Sequence, residues 1–305
     1  MKVESSTLDF WTTPREVNTN VDVHVPASSL HGFISHLNNT EIDYKVLIQD
    51  IGMLIRQENK PNRRARDTTF DVNSYHKVTE IESFLKEITE KRKNITLEKL
   101  GTSHEGRYIY GIKFASGMKI SEKWEKILDT FDMYILPMMN PDGYSYSWRK
   151  NRLWRKTRSQ TKIPKCYGVD GNRNWDVSWG KFATSQRPCD NHYGGEKAFS
   201  EKETTIMKKK ILSTNSSIAI FLSVHSYGQQ VILSDSISNN KSSDYDILVS
   251  GSSLDWVYEV AGIRNSFAIE LRDDGQKGFL VPKSEISDTA EELLAGIQAI
   301  AENTS

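Results

Sequence analysis

The sequence predicts an α/β protein: a mixed sheet flanked by helices, preceded by a smaller α/β unit. Three observations predict it. Apolar residues switch repeatedly between the two-residue spacing of strands and the three-to-four-residue spacing of helices. A polar, basic stretch at 59–69 (NKPNRRARDTT) interrupts that pattern and divides a short first block from a long second one. In the second block, two apolar strand candidates carry the ionisable residues His225 and Glu270.

Each element follows from its own residues. Val21, Val23 and Val25 alternate, which reads as a strand. Leu30, Phe33, Ile34 and Leu37 keep helical spacing. Residues 44–48 (YKVLI) read as a second strand, and Ile51, Leu54 and Ile55 open a second helix. The linker at 59–69 carries Arg63, Arg64 and Arg66. It fits two readings, a solvated charge run or the cutting site of a trypsin-like or basic-site protease, whose acidic pocket pairs with arginine. Beyond it, Ile81, Phe84, Leu85 and Ile88 make an amphipathic helix. Residues 97–100 and 108–112 read as strands around a turn at 101–106. Trp124, Ile127 and Leu128 mark a short helix before a strand at 133–137. Residues 219–224 and 266–271 are apolar strands. Asp288, with Glu291 three residues on, is a capping signal for a last helix with Leu293, Leu294, Ile297 and Ile300 on one face.

Composition excludes several function classes. Lys plus Arg and Asp plus Glu each number 40 in 305 residues, so no net field favours nucleic acid or a membrane surface. No apolar run is long enough to span a bilayer. The opening MKVESSTLDFW holds no apolar signal-peptide core. Cys166 and Cys189 allow one disulfide or a reduced pair. Asn-x-Ser/Thr sequons at Asn38, Asn94, Asn215, Asn240 and Asn303 lean towards a secretory history.

The chemistry concentrates at 138–179, where arginines alternate with aromatics. Arginine has a permanent charge and a planar fork that matches carboxylates and oxyanions. The stretch reads as a basic surface loop or as a pocket wall. Glu270 lies in FAIELR, where a strand would bury it; such a carboxylate is either paired, for instance with Arg272, or functional. His225 closes its strand either as a hydrogen-bonded core histidine or as a site residue.

NPDGYSYSW, NRLWRKTRS, GVDGNRNWD, SVHSY, SGSSLDW, SFAIELRDDG and KGFLVP occur in this order. Together they resemble the zinc metallocarboxypeptidases of the pancreatic A/B type. The resemblance implies an open-sandwich activation segment at 1–66, cut at Arg66, and a catalytic domain at 67–305. It implies zinc-dependent removal of C-terminal residues, with His225 a zinc ligand, Glu270 the general base and Arg155 the oxyanion partner. It also implies that Asn172 and Arg173 grip the free carboxylate of a peptide or protein C-terminus, and that Tyr227 lines a subsite. Leu254 falls at the base of the specificity pocket, where an aliphatic residue favours apolar side chains. The resemblance further implies a Cys166–Cys189 disulfide, secretion and a monomer.

The chain departs from the family in two places. A zinc site of this class takes two histidines and a glutamate. The His-x-x-Glu motif that supplies two of them, with its strand and most of the next helix, is absent between Gly111 and Ser121. The alternatives His104-Glu105 and His192 lie in other loops. After Tyr227 a second block is missing, so Ile247 falls at a substrate-capping tyrosine position, with Tyr245 two residues away. Losing an interior strand is expected to leave core surface uncovered. These gaps predict an inactive chain: a zinc-free relative that binds peptide C-termini, or a defective product of skipped exons or a faulty gene model.

Overall fold

Pairing of backbone donors and acceptors decides which apolar segments of this chain become strands. The computed structural model describes residues 8–12, 19–58, 70–118, 122–181, 183–234 and 250–304. The linker with Arg63, Arg64 and Arg66 lies outside them, as do Asn240, Tyr245 and Ile247. In the first block, β1 (Asp9–Phe10) pairs antiparallel with β2 (Val23–His24). Helices α1 (Leu30–Asn39) and α2 (Ile51–Glu58) form where the spacing predicts. The expected strand at 44–48 does not form. It has no ladder partner among the described residues, and Tyr44, Val46 and Leu47 are exposed.

The long block keeps its mixed α/β class, but its strands form two sheets. After α3 (Val78–Lys91), strands β3 (Ile95–Thr102), β4 (Tyr108–Phe114) and β5 (Met133–Ile135) make an antiparallel sheet in that order. Leu85 of α3 and Leu128 of α4 (Glu122–Thr130) close a core with Ile95, Tyr110 and Ile112. Helices α5 (Pro141–Arg149) and α6 (Lys202–Thr214) follow. The mixed sheet comes next, in the order β6-β8-β7. Here β6 (Phe221–Ser226) runs parallel to β8 (Ser266–Leu271), and β7 (Gln230–Leu233) runs antiparallel to β8. Its register sets His225 beside Glu270. Trp175, Ile211, Val257 and Ile263, with Trp256 of α7 (Ser253–Glu259), form a second core.

Helix α6 joins the halves. Gly101 of β3 lets Ile206 approach so closely that a Cβ there would meet its Cδ1 at 2.6 Å. Lys210 Nζ donates to Glu98 Oε2 at 2.6 Å, while Ile211 belongs to the second core. Asp142, fully buried at the start of α5, ties α5 to the β3–β4 turn. It accepts from Ser103 Oγ, Glu105 N and Arg107 Nη1 at 2.6–2.7 Å. Asn140 caps α5 by accepting from Gly143 N, with Pro141 just inside the helix. The last helix, α8 (Ile286–Glu302), starts ahead of the predicted capping signal. A 3-10 turn at Lys283–Glu285 feeds it, so Asp288 lies inside the first turn and pairs with Arg272.

Apolar side chains are exposed on the mixed sheet. Val224, Val231 and Leu233 are about half exposed, and the register puts them on one sheet face. The native chain should therefore bind an apolar-surface dye, and Val231→Thr with Leu233→Thr should lower the dye fluorescence.

Burial pushes the Glu203 carboxyl from 4.5 up to about 7, against the lowering hydrogen bond from His104 N. The folded chain then holds a proton that the unfolded chain has released. Stability from this group is full below pH 4.5 and declines as the pH rises to about 7. Urea midpoints across that window should show the decline, and Glu203→Gln should flatten it.

Candidate carboxylate-binding site

Asp170 anchors the site. It is 2% exposed and accepts from Arg155 Nε at 2.8 Å and from Asn172 N at 3.0 Å. Burial alone would push this carboxyl up; Arg155 and Arg173 outweigh burial and hold it at about 2. Arg155 is in turn held firmly protonated, first by Asp170, with Glu270 and Asp9 adding to the effect. Arg173 is buried, which pushes its guanidinium down against the pull of Asp170. Its Nε donates to Ala183 O and its Nη1 to Asn172 O, at 2.8 and 2.9 Å. Gly251 has φ +72°, and a Cβ there would lie 2.4 Å from Arg173 O, so only glycine lets the chain cross this arginine.

Asn172 is fixed from the other side. Its Oδ1 accepts from Ser253 N at 2.9 Å and Ser253 Oγ at 3.0 Å, which leaves the amide NH2 to donate. Ser253 Oγ lies 3.3 Å from Ser223 Oγ, which lies 2.8 Å from His225 Nε2. A hydrogen-bonded chain thus links the amide to His225. Burial, reinforced by Arg155, pushes His225 down to about 4 and keeps its ring neutral. Leu254 is buried in the first turn of α7, where Ser252 Oγ accepts from Asp255 N.

The structure brings together Arg155, Asn172, Arg173, His225 and Glu270. Within 138–179, Lys156, Thr157, Asp170, Arg173 and Asn174 are buried while Arg149, Lys150 and Arg155 are exposed, so the stretch is neither wholly a surface loop nor wholly interior. Cys166 and Cys189 are bonded, with Cα atoms 4.7 Å apart, and the loop they close contains Asp170, Asn172 and Arg173. His192 is a site residue that the sequence reading left in another loop. Burial pushes its ring down, with Arg155 and Arg173 adding to that and Asp170 opposing. Its place three residues past Cys189 is the signal that the disulfide brings it here.

Tyr227 faces the first block rather than an open subsite. Its hydroxyl donates to Asp22 Oδ2 at 2.7 Å, and Trp11 lies edge-on to its ring. Asn191 Nδ2 donates to Asp9 Oδ1 at 2.7 Å. Arg152 makes a two-pronged contact with Glu58, at 2.7 and 2.9 Å. Asp22, Asp9 and Glu58 of the first block thus hold Tyr227, Asn191 and Arg152, each within three residues of a site residue.

The described residues do not fit a catalytic zinc. Among the described residues no three His, Cys, Asp or Glu side chains converge. None of the seven histidines is followed by Glu at the third position. His104 N and Glu105 N are engaged by Glu203 and Asp142. One histidine does not make the multidentate, preformed site that zinc affinity requires.

Residues 116–249 and 234–296 match the zinc carboxypeptidase family, and residues 2–58 match the carboxypeptidase activation peptide. Bovine carboxypeptidase A1 is 32% identical over 372 aligned positions, covering 99% of this chain and 88% of the relative. That alignment is longer than the 305-residue chain, in keeping with missing internal blocks. Human carboxypeptidase B is also 32% identical, over 96% and 86%. The crystal structure of thrombin activatable fibrinolysis inhibitor superposes with a TM-score of 0.82 at 26% identity, covering 97% of this chain and 92% of that one. The bovine form of that protein, in complex with tick carboxypeptidase inhibitor, gives 0.69 at 28% over 76% and 98%. On this likeness across nearly its whole length, the chain belongs to the zinc carboxypeptidase family.

Proposed function

We propose that this chain binds the free C-terminal carboxylate of peptides or proteins without hydrolysing them, in a site kept shut by its own first block. The observation that carries this reading is the fixed pair Asn172 and Arg173, held by Ser253 and Asp170, while no donor set for a metal comes together among the described residues. Asn172 supplies an amide donor, and Arg173 and Arg155 supply the charge that a carboxylate requires. Buried Leu254 at the pocket base selects apolar C-terminal side chains. A cut at Arg66 by a trypsin-like protease releases the first block. The disulfide fits a secreted monomer. The tick inhibitor bound to the bovine relative supports a protein ligand for this fold. Family membership favours a second reading, hydrolysis with Glu270 as base and Arg155 at the oxyanion. That reading requires metal donors that the described residues do not bring together.

A peptide ending in Phe or Leu is compared with its C-terminal amide by fluorescence anisotropy. The acid should bind at least about tenfold more tightly, since hydrogen bonds to a charged group contribute roughly 1.5–3 kcal/mol. Arg173→Gln should abolish the difference; equal binding of acid and amide would refute the clamp. Metal analysis should find less than about a tenth of a zinc per chain, and release of free Phe or Leu would overturn the binding-only reading.

The lid has its own test. In the intact chain, Asp22→Asn combined with Glu58→Gln should raise affinity for the acid peptide several-fold. Trypsin treatment should erase that gain by freeing the site in the wild-type chain as well.

A further inference from the structure

We propose that Asn94 and Asn215 carry N-linked glycans that project from the end of the molecule opposite the carboxylate clamp. They open the triplets Asn94-Ile95-Thr96 and Asn215-Ser216-Ser217. The triplet alone is a weak signal, so placement carries the argument. Asn94 is exposed in the turn between α3 and β3. Asn215 is exposed at the head of the 3-10 turn Asn215–Ser217, which follows α6. Each serves the fold through its backbone carbonyl: Asn94 O accepts from Ala115 N at 3.1 Å and Asn215 O from Ile218 N at 3.3 Å. Asn303 differs, because its Nδ2 donates to Ala299 O at 2.8 Å at the end of α8.

The two asparagines share one end of the fold. Gly101 of β3 meets Ile206 of α6, and Glu98 pairs with Lys210, so β3 and α6 run in opposite directions. The start of β3 therefore lies beside the end of α6, which brings Asn94 towards Asn215. From there β6 leads away to the clamp. The strand from Phe221 to His225 alone spans roughly 13 Å at about 3.3 Å per residue. Leu212, 42% exposed just before Asn215, is apolar surface that a glycan at Asn215 would cover.

In the transfer, asparagine Nδ2 bonds to C1 of the first sugar. The bond from that carbon to the diphosphate of a lipid-linked oligosaccharide breaks, and the amide proton leaves with the diphosphate. This inference does not depend on the carboxylate reading.

The test is cell-free translation of the full chain behind a cleavable leader, in the presence of microsomes. Glycans on the membrane-protected chain are released by an amidase in heavy-oxygen water, which converts each occupied asparagine to a labelled aspartate. Label is expected at positions 94 and 215. Asn94→Gln and Asn215→Gln should each remove one step of gel migration. Thr96→Ala and Ser217→Ala should do the same while keeping both asparagines. An unlabelled asparagine at either position overturns the assignment of that site. Release from the folded chain should be as complete as from the denatured chain; release only after denaturation would overturn the exposed placement.

Discussion

A carboxylate as deeply buried as Asp170 persists only where cations and donors compensate its lost hydration. Arg155 and Arg173 supply the charge, and Asn172 N supplies a further hydrogen bond. Because the chain brings both arginines to this one carboxylate, it must also fold the loop between them tightly. The disulfide closes the overlapping loop 166–189, which holds Asp170 and Arg173, and Gly251 lets a neighbouring segment press on Arg173. The arginine forks are thereby oriented before any ligand arrives, which lowers the ordering penalty of binding. Asp170 is buried while Arg155 keeps its outer face exposed, so loss of the aspartate would strand two arginines and loosen the loop around them.

The first block exploits the same charge. Its acidic residues occupy positions that complement the basic wall, and Trp11 adds an aromatic contact between Tyr227 and Phe279. Arg152 and Glu58 are both largely shielded and joined by two parallel bonds, the strong geometry for this ion pair. Closure therefore rests on several contacts of different kinds, and loss of one weakens the lid without opening it.

Much of this was legible in the sequence, and the exceptions have physical reasons. The strand at Ser266–Leu271 forms over the very residues whose apolar run predicted it, with Glu270 inside. Residues 44–48 have the same apolar character and form no strand, because a strand depends on a neighbour as well as on its own residues. Helices α5 and α7 went unmarked since short, polar-capped helices show little apolar periodicity; the caps at Asn140 and Ser252 were their readable signal. The link from Asn172 to Ser253 crosses 81 residues and is invisible without coordinates. The ordered motifs single out Arg155, Asn172 and Arg173, but not the buried aspartate that holds them or the histidine beside them.

The division of the strands into two sheets has a consequence for cooperativity. No ladder bond connects β3-β4-β5 to β6-β8-β7 among the described residues, so their union rests on side chains, among them those of α6 and the Lys126–Glu302 pair between α4 and α8. Each half owns its core, the arrangement from which separate cooperative units arise, where a continuous sheet would favour one. Amide protons in the two sheets then exchange with separate opening energies, and α6, packed on both, marks the seam between them.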